Sequence, residues 1–565
     1  MPTLEQLAFN KLLQNIPVGE QRFSVIRKLG LAYVDKTSYI YQLAQSRKPQ
    51  LLTRPRRFGK STLVSACEEA FLHGVEPYDG HESYFKGLEL EQLWSYVPWN
   101  EGPFYVLHLD FWVMMQNCKS VADFEEMLNE QILSFAQNAH LELQNTGSAK
   151  QDAFAQLLQA VPDNSVVLLV DEYDSPLTTF FDTAHYAESE EAARVLRGFF
   201  SWVKVQSGKF RFVFITGISR LKDTSIFSAV NNITDISQDQ DFGAICGITR
   251  EELQRYFPEN LRYATAQWLQ QPVAQVTDQQ VEQLLNELAA WYDGYCFSSD
   301  GTTHVFSLWS VLCFFSVRSV SFDTYWYNVS GLTQTLRKSL LKSSWAERLS
   351  LLAGDSVTVD KEDFLSATSL SSMQPEVLLF QTGYLTLKAP FASKVRLGVP
   401  NQEIKNALSR VFYRELLPTA ADTLDDFSLN LRTSIETHDA AALQICCNMV
   451  LHSVDYEHYP LTQESAVTAS LYLAISLALL VRVTVNKHES LGRPDVLFDW
   501  QDTTVVIELK YAQTRGTTQS LLRQAVKQIR DRKYGETFDR RPYLWRLAMV
   551  FCAEDREITK VQVVS

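Results

Sequence analysis

Leu51-Leu52-Thr53-Arg54-Pro55-Arg56-Arg57-Phe58-Gly59-Lys60-Ser61-Thr62-Leu63 reads as the end of an apolar strand, a phosphate-binding loop and the first turn of a helix. The P-loop pattern is Gly-x4-Gly-Lys-Ser/Thr. Gly59, Lys60 and Ser61 supply its second half, and Arg54 stands at its first glycine. The second half carries the chemistry. Gly59 lets backbone N–H groups close on phosphate oxygens, Lys60 reaches the β/γ oxygens, and the Ser61 hydroxyl joins a Mg2+ shell. The helix from Thr62 onward turns its positive end to the same anion. Arg56, Arg57 and Phe58 complete the candidate loop. Arg54, Arg56 and Arg57 either hold phosphate directly or pair with acids elsewhere.

The partner of this loop lies further along. Ser165-Val166-Val167-Leu168-Leu169-Val170-Asp171-Glu172-Tyr173-Asp174 is an apolar run ending in acids. A buried strand of this kind places Asp171 where a P-loop protein holds Mg2+, and Glu172 where it polarises the attacking water. Phe210 to Gly217 forms the next strand, so Thr216 at its end and Arg220 beyond it are candidates to sense a terminal phosphate. Phe104 to Asp110 is a further core strand, and Phe124, Leu128, Ile132 and Phe135 recur at helical spacing. Strands alternating with helices imply a parallel sheet covered on both faces.

From Thr249 the texture becomes helical. Thr249-Arg250-Glu251-Glu252 has capping-box form, Val281 to Tyr292 reads as another helix, and Leu378 to Leu385 as a pair of strands. The order after residue 460 is α-β-β-β-α-β-β. Expected divisions are residues 1–247, 248–400 and 401–565.

A second constellation sits in that last segment: Pro494-Asp495, then Glu508-Leu509-Lys510. Residues two apart in a strand share a face, so Glu508 and Lys510 project together. A turn at Gln501-Asp502 brings Asp495 beside them. Two carboxylates bind a hard divalent cation such as Mg2+, which clamps a phosphodiester and acidifies water. Lys510 orients that water or offsets charge. Glu464, heading the preceding helix, is a further ligand or an acid just behind the ligands. Arg515, Arg523, Lys527, Arg530, Arg532, Lys533, Arg540, Arg541 and Arg546 outnumber nearby acids and suit a nucleic-acid phosphate track.

At 565 residues the chain exceeds one core, and 46% hydrophobic with 21% charged residues is ordinary globular composition. A net charge of −14 argues against uniform coating of nucleic acid but leaves room for a local basic groove. Eight cysteines without Cys-x-x-Cys support neither a zinc site nor a disulfide framework, which points to a reducing cytoplasm. The N-terminus lacks the pattern of a signal peptide. The uncharged run from Ser465 to Val481 is rich in Ser, Thr and Tyr and reads as a buried helix, so no membrane is expected.

These residues resemble a bacterial group of AAA-ATPase-like proteins with a C-terminal PD-(D/E)XK nuclease domain. The marks are Arg54 to Ser61, Leu169 to Asp174, Ile215 to Arg220, Phe227-Ser228 with Asn231-Asn232, Trp291-Tyr292-Asp293-Gly294-Tyr295, Gln381-Thr382-Gly383-Tyr384-Leu385, and Gly492-Arg493-Pro494-Asp495 with Glu508-Leu509-Lys510. In that group Arg at the first loop position is habitual. The resemblance implies an α/β protein: an AAA-like parallel-sheet ATPase, a helical lid and a restriction-endonuclease-like domain. It also implies Gln528 as a residue beside the nuclease site, with Tyr534 six positions on rather than the four of related RecB-type nucleases. The expected function is an ATP-regulated nuclease using ATP and Mg2+, with Mn2+ as an alternative metal, acting in defence against foreign nucleic acid. DNA is favoured over RNA as partner, and a homo-oligomer is admitted. The competing reading is a nucleotide-gated nucleic-acid or protein-binding switch whose nuclease fold is inactive.

Overall fold

The computed structural model describes residues 11–96, 102–143, 153–182, 186–220, 233–317, 319–330, 356–365, 373–416, 424–454, 460–479, 481, 483–485, 494–536 and 541–565. Phe227-Ser228, Asn231-Asn232, Gly492-Arg493 and Arg540 lie outside them. The described residues divide into two compact units, the first running to Glu403 without Ser356, the second made of Ser356 and the residues from Ile404 onward. The expected break near residue 247 is not a division between units. Gly247 donates its N–H to the Phe58 carbonyl at 2.9 Å, tying the start of the helical segment to the phosphate loop.

The first unit is built on five parallel strands: β1 (Gln50–Thr53), β2 (Tyr105–Asp110), β3 (Val166–Asp171), β4 (Phe210–Gly217) and β5 (Thr234–Asp235). Their order is β2-β3-β4-β1-β5. Every residue of β3 and β4 is buried, as expected of central strands covered by helices on both faces. β4 lies between the loop strand and the acid strand. Its register pairs Thr53 with Gly217 and Val170 with Ile215, which sets Thr216 between the phosphate loop and Asp171. Ligands of such sheets collect at the carboxyl ends of the strands, and all these residues sit there.

Four helices, Arg250–Tyr256, Pro258–Trp268, Asp278–Tyr292 and Leu308–Ser316, pack Leu253, Phe257, Leu284, Leu288, Phe314 and Phe315 into one core. The capping box at Thr249 forms: its hydroxyl accepts from Glu252 N, and the Glu252 carboxylate accepts from Thr249 N. This region also holds two small sheets, β6 (Tyr295–Cys296) with β7 (His304–Val305), and β8 (Val357–Asp360), β10 (Lys394–Gly398) and β9 (Thr386–Leu387) in that order. The segment expected as paired strands differs. Pro375 opens a helix, Pro375–Gln381, that takes up Leu378, Leu379 and Phe380, and only Thr386–Leu387 is strand. Proline at the first helical position loses no hydrogen bond, so this apolar run is helical despite its strand-like composition.

The second unit has the expected order. Helix α1 (Glu464–Leu479) precedes β11 (Thr484–Val485), β12 (Val496–Trp500) and β13 (Thr503–Ala512), then α2 (Thr518–Arg532), β14 (Tyr543–Cys552) and β15 (Glu557–Val563). The sheet runs β11-β12-β13-β14-β15. β12 and β13 are antiparallel with Trp500 opposite Thr503, so Gln501-Asp502 is the two-residue turn. Leu522, Ala525, Val526 and Ile529 press one face of α2 onto the sheet against Val506, Ala548 and Val550. Among the described residues no helix is long and apolar enough to cross a membrane.

Candidate active sites

In the first unit the loop after β1 opens into a cavity of about 460 Å3. Gly59 adopts φ +93° just before the Lys60–His73 helix, and a Cβ there would sit 3.2 Å from Leu308 Cδ2. Only glycine takes that turn without strain. Lys60, Ser61 and Thr62 line the cavity with Asp171 and Glu172. The buried Lys60 ammonium donates to the carbonyls of Arg54 and Pro55, each at 3.0 Å, which leaves one of its three N–H groups for a ligand. Asp171 is buried, and its Oδ1 accepts from the Thr216 hydroxyl and from Glu172 N. Asp171 and Ser61 both line the cavity and carry oxygen donors of the kind a hydrated Mg2+ takes. Glu172 holds φ +50°, a conformation costly for a side-chain-bearing residue and frequent at functional sites. Burial pushes its carboxyl up, and Lys60 and Arg56 oppose that shift. Glu172→Gln keeps the shape while removing the basic oxygen. It should leave nucleotide affinity intact and lower turnover by about 100-fold or more, read by binding calorimetry beside phosphate release.

The arginines divide by role. Arg54 is 1% exposed and donates to the carbonyls of Thr53, Ser237 and Phe242, with its guanidinium 4.5 Å over the Phe297 ring. It fastens the loop from behind and does not line the cavity. Burial lowers its pKa to about 10, so it stays charged at neutral pH. Arg54→Ala strips three buried carbonyls of their donor and should cost roughly 3–5 kcal/mol, read as a lowered unfolding midpoint in scanning calorimetry. Arg56 and Arg57 do line the cavity, and Arg57 stacks 4.3 Å over Trp309. Phe58 packs edge-on to Tyr295 and Phe297, a structural use of the motif. Arg220 pairs with Asp235 and bonds Gln238, while its N–H meets Gln381. Its guanidinium is engaged by Asp235 and Gln238, and it is not among the residues lining the cavity.

Sequence reasoning passed over several residues here. Asp110 ends β2 in register with Asp171 and lines the cavity, its carboxyl raised by burial. The rule that singled out Asp171, an acid ending an apolar strand, applies to it equally. Tyr33, Val34 and Phe257 add apolar wall from segments distant in the chain, and no local pattern announces them.

In the second unit the β12–β13 hairpin gathers Asp495, Glu508 and Lys510. Asp495 Oδ2 accepts from Leu509 N at 2.7 Å, and Lys510 Nζ donates to Glu508 Oε1 at 2.8 Å. Glu508 is 1% exposed, and its Oε2 has no hydrogen-bond partner. A buried carboxylate oxygen without a protein partner is open to a cation or an ordered water. Burial, then the neighbouring Asp495, raises the Glu508 pKa to about 7, and burial raises Asp495 as well. Burial works against the Lys510 ammonium, but Glu508, Asp495 and Glu464 outweigh it and hold the charge. Glu464 lies on the far side of that lysine, with Oε1 3.5 Å from Lys510 Nζ and Oε2 accepting from Tyr511 N. Among the described residues no group of three His, Cys, Asp or Glu side chains converges on one point. Two carboxylates with water completing the shell remain a fit for Mg2+ or Mn2+. Gln528 bonds the hydroxyl of buried Tyr534 at 3.1 Å, so the six-residue spacing still joins these two side chains on α2 and just beyond it.

The raised Glu508 pKa gives a pH dependence. Its folded value of about 7 lies above the ordinary 4.5, so the metal-free site holds a proton between those limits and a cation must displace it. Mn2+ affinity should rise up to about tenfold per pH unit below pH 7 and flatten above it. Titration calorimetry at several pH values reads this together with the released proton.

Residues 17–227 match the family model described as predicted AAA-ATPase, and residues 462–561 match the PD-(D/E)XK nuclease superfamily. A protein of Azotobacter chroococcum mcd 1, described as an uncharacterized protein in the vnfD 5' region, is 26% identical over 535 residues, covering 93% of this chain and 94% of its own.

Proposed function

Starting from a chain that carries a predicted AAA-ATPase domain and a PD-(D/E)XK nuclease-superfamily domain, we propose an ATP-regulated, divalent-metal-dependent nuclease that hydrolyses phosphodiester bonds of DNA, with RNA as the lesser alternative. The observation carrying this reading is the buried Glu508 oxygen without a partner, beside Asp495 and Lys510. Asp495 and Glu508 are the metal ligands, and a bound Mg2+ or Mn2+ supplies charge neutralisation at the phosphodiester and acidified water. Lys510 keeps its proton and orients the attacking water, while Glu464 and Glu508 fix its position. α2 exposes Arg523, Lys527 and Arg530 at spacings of four and three, a single stripe suited to a phosphate backbone. In the first unit Ser61 and Asp171 hold the metal of a bound ATP, Lys60 and Arg56 meet its phosphates, and Glu172 polarises water. The setting is the cytoplasm, in defence against foreign nucleic acid.

Regulation follows from the join. The sequence between the two matched regions holds no Gly/Ser tether, and its described residues are mostly helices with a few short strands, so it can transmit a rearrangement. Cleavage of labelled single- and double-stranded DNA and RNA, at fixed free Mg2+ with no nucleotide, ADP, ATP or a non-hydrolysable analogue, tests the reading. Metal-dependent cleavage changing by about 5- to 150-fold with nucleotide state is expected. Tight nucleic-acid binding without cleavage in any condition would instead favour a nucleotide-gated binding switch.

A further inference from the structure

Two sequence marks, Trp291–Tyr295 and Gln381–Leu385, have no place in either chemistry. Both pack at the back of the phosphate loop. Gly383 takes φ +90°, and a Cβ there would lie 2.9 Å from Pro55 Cβ and 3.2 Å from Trp326 Cζ2. Trp326, 1% exposed, donates its indole N–H to the Arg56 carbonyl at 2.9 Å, and Tyr384 meets its ring edge-on at 5.3 Å. The Trp326 backbone N–H donates to Glu403 Oε1 at 2.7 Å, and the Ser310 hydroxyl donates to Glu403 Oε2 at 2.7 Å. Ser310 follows Trp309, on which Arg57 stacks. Two successive loop arginines therefore reach one fully buried carboxylate, Arg56 through Trp326 and Arg57 through Trp309 and Ser310.

Glu403 stands where the first unit ends, in the helix Gln402–Leu416 whose remainder belongs to the second. The residues just before it are clamped to the same body. Asn401 Nδ2 donates to the Asp293 carbonyl at 2.8 Å, and a Cβ on Gly294 would fall 2.4 Å from the Pro400 carbonyl oxygen. Trp326, which bonds the Arg56 carbonyl, and Ser310, which follows the Trp309 under Arg57, both bond this carboxylate.

We propose that Glu403 is the positioning residue through which occupancy of the phosphate loop is conveyed to the helix entering the second unit. This rests on the reading of Gly59, Lys60 and Ser61 as a nucleotide site. The test uses the full chain as wild type, Trp326→Phe, which keeps an aromatic ring and removes the indole donor, and Glu403→Gln, which sets an amide donor against two donors. ADP and a non-hydrolysable ATP analogue are titrated by calorimetry, and amide hydrogen exchange over residues 404–411 is followed with and without saturating nucleotide. In wild type the analogue should change that exchange by about fivefold or more. Both variants should bind nucleotide and lose the response, and Trp326→Phe decides the matter if Glu403→Gln does not fold. Nucleotide binding without altered exchange in wild type, or a wild-type response in Trp326→Phe, overturns the relay and leaves the nucleotide site standing. Absence of nucleotide binding in wild type overturns both.

Discussion

Lys60→Ala should weaken nucleotide binding by on the order of a hundredfold or more, about 3 kcal/mol. The ammonium is buried at the mouth of the helix, and two of its N–H groups already close the loop through the carbonyls of Arg54 and Pro55. Alanine therefore removes both the charge facing the phosphates and the pin that shapes their cradle. Calorimetric titration with ADP and ATP at fixed Mg2+ reads the first effect, and an unfolding midpoint close to wild type excludes collapse. Binding within a fewfold of wild type would remove the site from this loop. In a nuclease gated by nucleotide, the same variant should cleave at one rate in every nucleotide state.

Glu508→Gln and Asp495→Asn should each abolish cleavage by about 10^3-fold, the several kcal/mol that a bound metal contributes to a phosphodiester transition state. The glutamine has a further signature. A neutral side chain removes the buried group that burial, then the neighbouring Asp495, lifts to about 7, so the decline in stability expected of the metal-free wild type as pH rises from about 4.5 to 7 should be lost. Thermal unfolding across that range reads the change without any nuclease assay. Cleavage persisting in the double variant would place the chemistry elsewhere.

The elements legible in the sequence were those whose signal is local. The β1 loop, the acid-ended β3 and the α-β-β-β-α-β-β order each follow from a run of neighbouring residues. Asp495, Glu508 and Lys510 were legible because a two-residue turn and the two-residue period of a strand fix their meeting. Glu403 was not, since its significance comes from Ser310 and Trp326, which no periodicity links to it. The role of Arg54 stayed open for a related reason. Its position in a phosphate motif says nothing about Ser237 and Phe242, whose carbonyls hold it behind the loop. The helix at Pro375–Gln381 shows the same limit for short apolar runs, where strand and helix share one composition.

The hydrogen bond from Trp326 to Arg56 also orders events on the ribosome. A nascent chain that has delivered only residues 17–227 possesses the loop, the acids and β1 to β4, but neither β5 nor the Trp326 that bonds the Arg56 carbonyl. Gly383 and Glu403 arrive later still. At about 5–20 residues per second, some 20–80 s of synthesis separate the codons of Met1 and Glu403. The codons for Asp495, Glu508 and Lys510 are translated after that of Glu403. The residues that stand behind the phosphate loop are thus all made before the second set of carboxylates exists.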